Sequence, residues 1–67
     1  SRVIGITVTN EMRSQIEKIV EACRDLRVSM SDVGFVILRT FLDEHPLDRA
    51  VQFVRDTVVR LRQDGML

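Results

Sequence analysis

Cys23 and His45 carry the side chains best suited to chemistry, and the chain has one of each. A single cysteine closes no internal disulfide. One cysteine and one histidine do not make a protein-only zinc site, because structural zinc takes four ligands. Asp43, Glu44 and Asp48 stand near His45 in the sequence. No nucleophile is placed where such an acid–base group would activate it. Cys23 falls on an apolar stripe and is expected to be a buried, inert thiol. His45 precedes Pro46 and is expected simply to end a helix. No catalytic residue, metal, cofactor or enzyme activity is expected.

The remaining candidates act through hydrogen bonds. Thr9 or Asn10 suits a helix N-cap, because a short side-chain oxygen accepts from a free N–H of the first turn. Ser29 in "SMSD" is a second cap, and Asp32 stands at the third helical position, where it can answer back as in a capping box. Glutamate is the more usual residue there.

Two helices must follow these caps. Met12, Ile16, Ile19, Val20, Cys23 and Leu26 are spaced three and four apart, which puts one apolar stripe on a first helix. Its other face carries Arg13, Glu17, Lys18, Glu21, Arg24 and Asp25, with Arg13 and Glu17 set for a pair four apart. No glycine or proline marks its end, so the new start at Ser29 places that end near Leu26 or Arg27. From Met30 to Glu44 a second helix is expected, apolar nearly all round, with Val33, Val36, Ile37 and Phe41 in its core. Such a helix needs cover on more than one side. Gly34 costs about 1 kcal/mol against alanine in a helix interior, and close approach of a crossing helix would compensate. After the break at His45, Pro46 opens a third helix at its first position. Leu47, Ala50, Val51, Val54, Val58 and Leu61 share one stripe there, Phe53 lies beside it, and Gly65 stops it.

Before the first cap the pattern differs. Ile4, Ile6 and Val8 alternate with Gly5 and Thr7, the period of a strand. One strand leaves both edges unpaired and is not a sheet. The chain is 67 residues long, enough for one domain that buries only about 60% of its unfolded surface. With disulfide and metal excluded, oligomerisation is the remaining support. The strand and the apolar second helix both ask for another copy of the chain. No apolar run approaches the ~20 residues of a membrane span, and Ser1–Val3 show no signal-peptide pattern. A soluble, cytoplasmic protein is expected. The formal net charge is zero, so any basic patch must come from placement.

The segments "RVIGITVT", "NEMRSQIEKIVEAC" and "VSMSDVGFVILRTFLDE" resemble, in order, length and phase, the ribbon-helix-helix family of DNA-binding repressors, of the Arc, MetJ and plasmid copy-control type. The resemblance covers roughly Arg2 to Glu44. It implies a mainly α fold in which two chains intertwine, their N-terminal strands pairing antiparallel into a ribbon over four interlocked helices. It divides the chain into a DNA-binding and dimerisation core, residues 1–45, and an additional C-terminal helix, residues 46–67.

The ribbon of that family enters the major groove of double-stranded DNA. Carried over by phase, Val3, Gly5 and Thr7 face the bases, with Arg2 at the ribbon end, and Ile4, Ile6 and Val8 face the dimer core. Gly5 stands where relatives commonly place a polar or basic side chain. The family also grips phosphates at the start of its second helix, here Ser29, Met30 and Ser31, with Arg27 just before. Asn10 and Arg13 flank the ribbon and face further phosphates. The function implied is that of a transcriptional repressor or a plasmid or phage maintenance regulator. An antitoxin is a variant of it. The competing reading, favoured by zero charge and Gly5, is a dimeric protein-interaction module. The C-terminal helix, through Leu47, Val51, Val54, Val58 and Leu61, would cap the core, join dimers into a tetramer, or bind another protein.

Overall fold

The computed structural model describes residues 4–67. They form three helices, α1 (Asn10–Ala22), α2 (Met30–Glu44) and α3 (Leu47–Gln63), with a short 3-10 turn at Arg24–Leu26. The mainly α class is as expected. The N-terminal strand is not: among the described residues there is no strand, and residues 4–9 have no regular structure. A lone extended segment has nothing to pair its N–H and C=O groups with inside one chain. Ile4, Ile6 and Val8, expected to face a dimer core, have no second strand to meet inside one chain. Ile4 is 83% and Ile6 64% exposed, and Val8 alone of the three is half-buried.

The helix starts follow local chemistry. Thr9, not Asn10, caps α1, its Oγ1 accepting from the Met12 N–H at 3.1 Å. Asn10 is the first helical residue. At α2 the capping box closes in both directions. Ser29 Oγ accepts from the Asp32 N–H at 3.1 Å, and Asp32 Oδ2 accepts from the Ser29 N–H at 2.9 Å. Aspartate therefore replaces the usual glutamate. Pro46 is the cap of α3 rather than its first residue, with ψ at 155° and its carbonyl accepting from the Ala50 N–H at 2.9 Å.

The helix ends divide into legible and illegible ones. Gly65, at φ 72°, closes α3 as expected. Its N–H donates to the Arg62 carbonyl at 3.2 Å and the Met66 N–H donates to the Leu61 carbonyl at 2.8 Å, the paired bonds of a Schellman turn. α1 stops at Ala22, earlier than the expected Leu26 or Arg27. The chain tightens into the 3-10 turn, and Arg27 at φ 54° then turns it out of helical geometry.

Two compact units are present, Ser1–Ile37 and Leu38–Leu67. In the first, α1 and the start of α2 enclose an apolar groove of about 260 Å³ lined by Ile19, Cys23, Leu26, Val28, Val33 and Val36, with Asp32 at its edge. Cys23 is a free, half-buried thiol. In the second, the Phe41 and His45 rings stack at 4.0 Å and Phe53 tilts against Phe41 at 5.1 Å.

Cover is scarce. Val33, at 8% exposure, is the one buried hydrophobic among the described residues. Val36 and Ile37, expected in a core, are exposed, and Phe41 is half-buried. No crossing helix approaches Gly34, where an added Cβ meets nothing within 4 Å. One chain supplies too few elements to cover its apolar faces.

Candidate nucleic-acid interface

The residues expected to meet DNA belong to three places in the first unit. Thr7 and Gly5 lie in the irregular segment before α1, and both are exposed. A Cβ on Gly5 would enter open space. Val3 and Arg2 lie outside the described residues. Asn10 and Arg13 are exposed on the first turn of α1, where the Arg13 N–H donates to the Thr9 carbonyl at 2.9 Å. The expected Arg13–Glu17 pair is not formed. Two exposed ion pairs stand elsewhere, Arg24–Glu21 at 3.1 Å and Arg39–Asp43 at 2.7 Å. Exposed pairs are worth so little that side-chain entropy decides between them.

The start of α2 is the best-defined anion-facing geometry. Ser29 and Ser31 are exposed and Met30 is half-buried. Ser29 Oγ satisfies the Asp32 N–H. The N–H groups of Met30 and Ser31 have no partner among the described residues, and they point out of the helix start as such groups do. The helix dipole favours an anion here. The Asp32 carboxylate opposes one by its charge, although one of its oxygens is engaged with the Ser29 N–H. Arg27, two residues before the cap, is exposed. Its left-handed backbone sets the angle at which the chain enters α2, and no glycine or asparagine marks that position in the sequence.

Cys23 and His45 have structural roles. The Cys23 thiol lines the apolar groove of the first unit. His45 Nδ1 lies 2.7 Å from the Phe41 carbonyl oxygen. An oxygen there can only accept, so Nδ1 carries the proton and the ring closes the end of α2. Among the described residues no three His, Cys, Asp or Glu side chains gather to hold a metal. No helix among them is long and apolar enough to cross a membrane. Of the third-helix residues expected at an interface, Leu47, Val51 and Val54 are exposed, while Val58 and Leu61 are half-buried.

No family model, curated protein or solved structure matches this chain.

Proposed function

We propose that the chain is a cytoplasmic, homodimeric, sequence-specific binder of double-stranded DNA, built as a ribbon-helix-helix dimer and acting as a transcriptional repressor or a plasmid or phage maintenance regulator. One observation carries the reading. The alternating segment of residues 4–8, exposed from Ile4 to Thr7 and half-buried at Val8, stands unpaired directly before two capped helices whose apolar side chains also lack cover. A second copy would pair the segment into a ribbon and cover Ile4, Ile6, Val36 and Ile37 beneath it. In that dimer Thr7 reads bases, and Arg27 with the Met30 and Ser31 N–H groups holds phosphate.

Binding measured against the DNA upstream of the chain's own gene, and against random duplex, tests the reading. Thr7→Ala should cost about 1–3 kcal/mol on the cognate site and little on random DNA. Arg27→Ala should weaken both alike and lower the salt slope by about 1 for each phosphate no longer neutralised. If both variants bind as the parent does, the ribbon is not the reading surface. Zero net charge favours the second reading in that event: the same dimer serving as a protein-interaction module with little or no DNA binding.

A further inference from the structure

Leu47, Val51, Val54, Val58 and Leu61 recur along α3 in steps of four and three. That spacing lays a seam for a second helix. Leu47 at 81%, Val51 at 44% and Val54 at 53% exposure leave the first part of the seam open. A groove of about 300 Å³ lined by Phe41, Leu42, Ala50, Val51, Val54 and Arg55 continues it. Both ends of α3 carry both signs, with Asp48 and Arg49 at its start and Arg60, Arg62 and Asp64 at its far end. Along one flank of the seam, Asp48, Arg55 and Arg62 follow each other at intervals of seven. None of these three takes part in an ion pair among the described residues.

We infer that α3 pairs antiparallel with α3 of a second copy, about a two-fold axis near Val54. That register sets Val51 against Val58 of the partner subunit and Asp48 against Arg62 of the partner subunit, twice over by symmetry. The single like-charge contact, Arg55 with its own copy, falls at the axis. A parallel pairing instead turns this flank toward the other flank of the second copy, where Ala50 and Thr57 carry no charge to pair with it. The flank charges of Asp48 and Arg62 thus fit a second copy turned around. This contact does not depend on the DNA reading and adds to the contact proposed for residues 4–8.

Sedimentation of the full chain tests it, with helix content checked by circular dichroism. Val54→Glu should remove one association step. Asp48→Arg and Arg62→Asp should each weaken that step about tenfold, as two exposed pairs turn repulsive, and the double variant should restore it. The double variant guards against a folding defect, because both residues lie on the solvated flank. Single swaps that leave the mass unchanged, or a double swap that restores nothing, overturn the antiparallel register. An unchanged mass in Val54→Glu means that another protein or a lipid surface takes the seam, and overturns the inference outright. Ile6→Glu separates the two contacts. If it leaves association intact while Val54→Glu removes it, the α3 pairing stands and the ribbon dimer falls.

Discussion

Arg27 holds the turn between the first two helices at φ 54° and ψ 41°, a left-handed conformation that costs a side-chain-bearing residue about 1–2 kcal/mol. Glycine adopts it freely but loses about 0.5–1 kcal/mol of chain entropy on folding. Arg27→Gly should therefore raise stability by roughly 0.5–1 kcal/mol, read as a higher denaturant midpoint. The same change should weaken DNA binding, because the guanidinium is gone. Opposite signs in one variant would mark an arginine kept for its charge at the expense of its backbone. A fall in both stability and binding would mean that the side chain packs in the assembled protein. Ser29 and Asp32 show the contrasting case, in which two short side chains satisfy each other's N–H groups and leave the N–H groups of Met30 and Ser31 for the phosphate contact proposed above.

Within the elements, Gly34 separates the single chain from the dimer. An added Cβ there meets nothing within 4 Å, so in an unpartnered helix Gly34→Ala should stabilise by about 1 kcal/mol. With a partner helix crossing close at Gly34, the same methyl clashes, and the melting temperature should fall. The dimer account expects the fall. What the sequence made legible at this scale was what local chemistry decides: the caps at Thr9 and Ser29, the break at Pro46, and the Gly65 stop. The end of α1 was illegible because a 3-10 turn and a left-handed arginine need no glycine or proline to announce them. The alternation of Ile4, Ile6 and Val8 was plain, yet a strand is settled by its neighbour and not by its own pattern. The candidate site divides the same way. The geometry at Ser29 and Asp32 was readable, and the facing of Thr7 and Gly5 waits on the second strand.

For the whole molecule, a single chain with Val33 as its one buried hydrophobic among the described residues lacks the core that usually holds a domain of this length together. In the proposed dimer its stability comes from association, and folding and association become one process. Thermal melts across a hundredfold range of protein concentration, with the mass followed by sedimentation, measure this directly. The account predicts a melting temperature that climbs by about 5 °C for each tenfold rise in concentration, from 1.4 kcal/mol of mass action set against the unfolding entropy of two such chains. A melting temperature that stays constant while the sedimenting species remains a monomer would contradict it.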